Sequence, residues 1–153
     1  MRVVVAVVGK PRNAALATAI RDYETRAARY WPLEVHEVRE ERAAGISAAL
    51  VREREGERLA QRVAATRIVA CAEAGKQMSS ERFATWLSGE RESGRDVAFV
   101  IGGAFGLSDT LMSLSVESLS LAPWTLPHEL ARLVLAEQLY RAGSIVRNEP
   151  YHK

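Results

Sequence analysis

With 153 residues, and 21 Lys and Arg against 19 Asp and Glu, the chain is long enough for one domain, residues 1–153, burying roughly 70% of its extended-chain surface. Its whole-molecule field is too weak to argue for nucleic acid by itself. The single cysteine excludes an internal disulfide and fits a reducing compartment. The three scattered histidines, with no Cys, Asp or Glu at ligand spacing, offer no metal site. No run approaches the roughly 20 apolar residues of a membrane span, so the expected setting is the cytoplasm, with no membrane partner.

Val3 to Val8 is a continuous β-branched run and reads as a central strand, closed by the turn Gly9-Lys10-Pro11-Arg12-Asn13. Asn13 can cap a helix from about Ala14 to Arg29, with Leu16, Ile20, Tyr23 and Ala27 on one face, until Trp31-Pro32 stops it. Leu33 to Val38 alternates apolar and polar residues, which suits a strand with one wet face near a sheet edge. Ile46 to Ala64 is helical by its Ile46, Leu50, Leu59 and Val63 positions, with mostly solvated charges and a weak point at Gly56. Thr66 to Ala72 reads as a third strand, turning at Glu73-Ala-Gly-Lys-Gln77.

Ser79 caps a helix through Phe83, Trp86 and Leu87 that Gly89 or Gly94 ends. Val97 to Ile101 is five apolar residues without alternation, the mark of a parallel strand covered on both faces. Gly102, Gly103 and Gly106 follow, allowing positive φ and close main-chain approach before Ser108-Asp109 caps a short helix. Glu117 to Leu121 alternates like a short strand and leads into Ala122-Pro-Trp-Thr-Leu-Pro-His128, where Pro123 and Pro127 fix φ around Trp124-Thr125-Leu126. The last helix, Pro127 to about Val146, carries more than one apolar stripe, so part of it would stay wet unless a second copy covered it. The tail Asn148 to Lys153 is too short to fold alone and is expected to fray.

Strand and helix therefore alternate throughout, the pattern of an α/β fold with a five- to six-stranded, mostly parallel sheet flanked by helices. Ligands gather beyond the carboxyl ends of such strands. The glycine turn at 102–106 is either a ligand contact or a tight structural turn, and the proline-stiffened loop beside it favours the contact. Known nucleotide and hydrolase signatures are missing. Gly75-Lys76 has Gln77 where a phosphate loop needs Ser or Thr, the 101–106 run is not Gly-x-Gly-x-x-Gly, and there is no Gly-x-Ser-x-Gly elbow.

Four segments carry a resemblance: Ile101-Gly-Gly-Ala-Phe-Gly-Leu-Ser108, Trp124-Thr-Leu-Pro-His128, Leu133 to Arg141, and Asn148-Glu-Pro-Tyr-His-Lys153. They resemble the RlmH family, the 23S ribosomal RNA pseudouridine N3-methyltransferases of the SPOUT superfamily, over the whole chain. That resemblance implies an α/β-knot whose C-terminal part forms a deep trefoil knot, against the usual rule of unknotted chains, and an active homodimer.

It also implies S-adenosylmethionine as methyl donor, with no metal. The donor would be held by Cys71, Gly103, Ala122, Pro123, Trp124, Thr125, Leu126 and Pro127, and the substrate would be the large subunit or the whole ribosome. His128, Arg132, Arg141, Tyr151, His152 and Lys10 are the candidates for phosphate contact, base stacking or ring positioning. Arg141 and His152 are the candidates for handling the N3 proton. Family members often carry Leu where this chain has Cys71 and Pro-Glu where it has Ala104-Phe105, so no charge role is expected at Phe105. The alternatives are a non-catalytic ribosome-binding module and a SPOUT enzyme acting on transfer RNA.

Overall fold

The computed structural model describes residues 1–153. The chain alternates β1 (Val3–Val8), α1 (Ala14–Ala27), β2 (Leu33–Val38), α2 (Ala48–Arg62), β3 (Arg67–Lys76), α3 (Ser80–Glu92), β4 (Val97–Ile101), α4 (Asp109–Leu114), β5 (Glu117–Leu119) and α5 (His128–Val146). The sheet has five strands in the order β2-β1-β4-β3-β5, and every pairing is parallel. The half-polar β2 lies at the edge, as its alternation predicts, while the uninterrupted apolar runs β1 and β4 occupy the middle.

Period-two alternation divides β1 between two cores. Val3, Val5 and Val7 face α1, α3 and α5, packing with Trp31, Phe83, Leu87, Phe99, Leu135 and Leu139. Val4, Ala6 and Val8 face α2 and α4, packing with Leu59, Val63 and Leu111. Trp31 does more than stop a helix: it is fully buried, and its Nε1–H donates to the Leu139 carbonyl at 2.9 Å, fastening α5 to the α1 side. No helix is long and apolar enough to cross a membrane.

Four local expectations change. First, β3 does not turn at Glu73. It runs on to Lys76 through a register shift in which Leu119 of β5 pairs with both Cys71 and Lys76. Such a bulge bends a strand and re-aims its side chains. Gly75 makes it possible, because a Cβ there would lie 2.7 Å from the Leu119 carbonyl carbon.

Second, α2 starts later than its apolar positions suggest. The Ser47 hydroxyl caps it by accepting the Leu50 N–H at 3.2 Å, which leaves Ile46 outside. Its charges are not all solvated, since Glu55 is 3% exposed and burial raises its pKa above the ordinary carboxylate value. Gly56 is a packing point: a Cβ there would meet the Ser108 hydroxyl at 2.3 Å. Third, of the two glycines offered as the end of α3, Gly89 lies inside the helix, and Gly94, at φ 66°, is the one that follows its end.

Fourth, α5 is flanked by both α1 and α3, and none of its residues is among the exposed large apolar side chains. Those are Leu50, Phe105, Leu114, Val116 and Trp124. The wet apolar surface expected on α5 is reduced but remains: Leu130, Leu133 and Val134 are only half-buried and belong to neither core.

Candidate active site

The carboxyl ends of β3, β4 and β5 converge on a cavity of about 400 Å³. Cys71, Ala72 and Glu73 of the β3 bulge form one wall. Ile101, Gly102, Gly103, Ala104, Gly106 and Leu107 of the glycine loop form a second. Leu121, Ala122, Trp124, Thr125 and Leu126 form a third, with His128 and Ala131 of α5 and Met112 of α4 closing it.

The glycine loop is a tight turn in which the Gly106 N–H donates to the Gly103 carbonyl at 3.1 Å, with Gly106 at φ 82°. Both expected uses of these glycines occur: Gly106 takes the positive φ, and Gly102 and Gly103 are required by close approach. A Cβ on Gly103 would come within 2.5 Å of Glu55 Oε2 and 3.1 Å of Val8 Cγ1, so α2 and β1 support the loop from behind.

The third wall is tied down at both ends. Ser120 N–H donates to the Lys76 carbonyl at 3.0 Å, and its hydroxyl donates to the Ala122 carbonyl at 2.7 Å. Further along, Thr125 Oγ1 donates to Glu73 Oε2 at 2.5 Å, bridging the bulge and the proline-bracketed loop. Pro127, at φ −52°, is the N-cap position of α5, and Glu129 in its first turn accepts the Arg12 N–H at 2.7 Å.

Of the residues expected around a donor, Cys71, Gly103, Ala122, Trp124, Thr125 and Leu126 line the cavity, together with His128. Pro123 and Pro127 do not line it; they shape the loop on either side of Trp124, which is itself 78% exposed. Burial in apolar surroundings pushes the Cys71 thiol up to about 12, so it stays protonated and unreactive at neutral pH. The residue that sequence reasoning missed is Glu73, because Glu-Ala-Gly-Lys reads locally as a turn.

The remaining candidates lie elsewhere. Lys10 is exposed on the turn after β1. Arg132 is not a surface cation: its side chain is 7% exposed, and its Nε and Nη2 donate to Glu24 at 2.8 and 3.2 Å. It is committed to holding α5 against α1 and is not placed to meet phosphate. Arg141 follows Ala131, the last lining residue of α5, by ten positions, which at 1.5 Å per residue puts it about 15 Å along α5 from the cavity.

The tail packs beside Arg141 instead of fraying. Tyr151 lies against Tyr140 with ring centroids 4.5 Å apart, donates to Glu137 at 3.0 Å, and has the Arg141 guanidinium over its ring at 4.7 Å. Arg141 donates to Glu137 at 2.6 and 2.9 Å and to His152 Nδ1 at 3.2 Å. Because a guanidinium only donates, Nδ1 must accept, and Nε2 then carries the hydrogen that meets Glu81 Oε1 at 2.8 Å. In this arrangement neither ring nitrogen of His152 is free to take a proton. Glu149 accepts from the Tyr30 hydroxyl, which raises that phenol to about 12.

The tail anchor should be acid-sensitive. Glu81 is held down to about 2 by its own N–H, by the Ser79 hydroxyl and by His152. A depressed carboxylate contributes fully above its unfolded value and loses that contribution as pH falls toward the folded one. Carboxypeptidase release of Lys153 and His152 should accelerate as pH drops from about 4.5 to 2, whereas Glu81→Gln should be faster at neutral pH and flat across that window. A tail equally protected throughout would show that Glu81 does not hold it.

The description "Predicted SPOUT methyltransferase" belongs to the family whose sequence model matches residues 1–152. The chain is 60% identical over 154 residues to the ribosomal RNA large subunit methyltransferase H of Gemmatimonas aurantiaca, covering 100% of each. It is 44% identical over 159 residues to the protein of that name from Bacillus thuringiensis, again covering 100% of each. A solved structure of a probable methylase family protein from Haemophilus influenzae superposes with a TM-score of 0.60 at 13% identity, over 99% of this chain and 70% of that one. A probable methyltransferase from Bordetella pertussis gives 0.55 at 14%, over 92% and 95%. The structural likeness shows a common fold.

Proposed function

We propose a function from one premise: the chain belongs to the RlmH family of SPOUT methyltransferases. Its reaction is transfer of a methyl group from S-adenosylmethionine to N3 of a pseudouridine in 23S ribosomal RNA of the large subunit, in the cytoplasm. The observation that carries this reading is the cavity at the ends of β3, β4 and β5, bounded by two preset main-chain loops.

Its size falls in the usual range for small-molecule sites, and its lining is mainly apolar with a few polar groups, which suits an adenosyl moiety. Leu121, Ala122 and Leu126 offer an apolar slot, with main-chain groups of the proline loop able to meet a base edge. Gly102 and Gly103 leave room for the amino-acid portion. The bound donor supplies a methyl group on a sulfonium. The protein's part is to hold that group in line with the ring nitrogen and keep water out.

The N3 proton must be lost, and Arg141 is the group proposed to stabilise the resulting anion. Because Arg141, with the tail packed beside it, lies about 15 Å along α5 from the cavity of its own chain, it serves this site from a second copy, and the functional unit is a homodimer. The family's deep trefoil knot is part of the same proposal, and the β4-β3-β5 order fits it. A net charge of +2 gives little grip on free RNA, so the assembled subunit or ribosome is the substrate.

Mass mapping of ribosomal RNA from cells with and without the protein tests this. One methyl on a large-subunit pseudouridine should disappear with the gene and return when purified dimer and donor are added to those ribosomes. An unchanged ribosomal inventory with a methyl lost from transfer RNA would move the assignment there. No heat on titration with S-adenosylmethionine would leave a binding module.

A further inference from the structure

We propose that Glu73 sets donor specificity in this cavity, its carboxylate making the charged methyl donor bind more tightly than the product that has lost the charge on sulfur. The inference rests on the methyltransferase reading above and adds a residue to it.

No Lys or Arg lines the cavity, and Cys71 stays protonated, so Glu73 places the only formal negative charge on its wall. The β3 bulge brings it there, and the Thr125 hydroxyl fixes one carboxylate oxygen at 2.5 Å while leaving the other, Oε1, without a protein donor. Donor and product share adenine, ribose, ammonium and carboxylate groups, and differ in a sulfonium against a thioether. A carboxylate that touches only a shared group cannot tell them apart. One that acts on the sulfur's charge can.

A cavity of about 400 Å³ measures roughly 7 Å on an edge, so a bound sulfur stays within Coulomb range of the carboxylate wherever the adenine lies. Glu73 is exposed, so water screens it, and the attraction at such distances amounts to about threefold to tenfold in affinity. Weaker retention of the spent donor speeds its release, a step that limits turnover in many enzymes.

The test is calorimetric titration of the full-length protein with S-adenosylmethionine and, separately, S-adenosylhomocysteine, for the wild type, Glu73→Gln and Thr125→Val. Glutamine keeps an oxygen for Thr125 and removes only the charge. Glu73→Gln should narrow the donor-to-product affinity ratio by about threefold to tenfold, leave product affinity within about twofold, and lose less in high salt, where exposed charges are screened. Thr125→Val keeps the charge and should keep most of the ratio. Equal weakening of both ligands by Glu73→Gln would assign Glu73 to a shared group and overturn the proposal, as would an unchanged ratio. Equal losses of both ligands in both variants would make it a loop brace only. A wild type that binds neither ligand would instead overturn the methyltransferase reading itself.

Discussion

Replacing Gly102 by alanine is expected to weaken binding of the methyl donor and to slow methyl transfer by on the order of a hundredfold. The new Cβ would lie 2.5 Å from the Gly106 carbonyl carbon, 2.6 Å from its oxygen and 2.9 Å from Leu107 N. All three are main-chain atoms, so no rotamer change relieves the overlap, and the 102–106 turn must open. That turn is a wall of the cavity, and displacing a wall by about 1 Å is enough to cost two orders of magnitude in a positioned reaction. Overpacking of this kind also costs about 1–3 kcal/mol of stability, so the melting temperature should fall by several degrees.

Gly103→Ala provides the contrast. Its Cβ meets chiefly Glu55 Oε2, a side-chain atom at 2.5 Å, with Val8 Cγ1 at 3.1 Å. The double variant Gly103→Ala, Glu55→Ala should therefore regain part of the affinity that Gly103→Ala loses, and no second-site truncation should rescue Gly102→Ala. Calorimetry and a thermal scan on the same samples decide the matter. A Gly102→Ala protein with wild-type donor affinity would mean that the glycine loop is not part of the site.

What the sequence discloses of this site follows from how local each feature is. The apolar runs Val3–Val8 and Val97–Ile101 are buried on both faces, and such runs specify central parallel strands from their own composition. The glycine and proline loops are visible because their residue types restrict the main chain. The β3 bulge is not, since its existence depends on Gly75 passing the backbone of Leu119, more than forty positions away. Glu73 was hidden with it.

The tail reads as frayed because its own six residues carry no pattern that shows what holds them; Glu137, Tyr140 and Arg141 of the preceding α5 do so in part. Its distant anchors are Tyr23, Tyr30 and Glu81, on α1, the segment after it, and α3. That Cys71 and Ala122 belong to one cavity came from resemblance to a family, not from periodicity, which places each at a strand end without saying that the two ends meet.

Arg132 is the sharpest case of a residue whose role reverses once its distant partners are known, and it supports the second large prediction. Arg132→Ala is expected to destabilise the protein by about 3–5 kcal/mol, the usual cost of leaving a buried charge without its partner. Glu24 is only 14% exposed and would lose both guanidinium bonds, and Glu37, 3.6 Å from Nη1, would lose its nearest cation. Nη1 itself is buried without a hydrogen-bond partner, so the network is under-satisfied even when intact.

Arg132→Lys should recover little, because one ammonium cannot span both Glu24 oxygens as the fork does. Pairing Arg132→Met with Glu24→Met should cost far less than Arg132→Met alone, since an apolar pair of similar volume can replace a buried ion pair at little net cost. Urea unfolding of the four variants measures these differences directly. A phosphate-binding arginine behaves in the opposite way, leaving the urea midpoint in place and weakening RNA binding with a shallower salt dependence. An Arg132→Ala protein with an unmoved midpoint would put the guanidinium back on the RNA face.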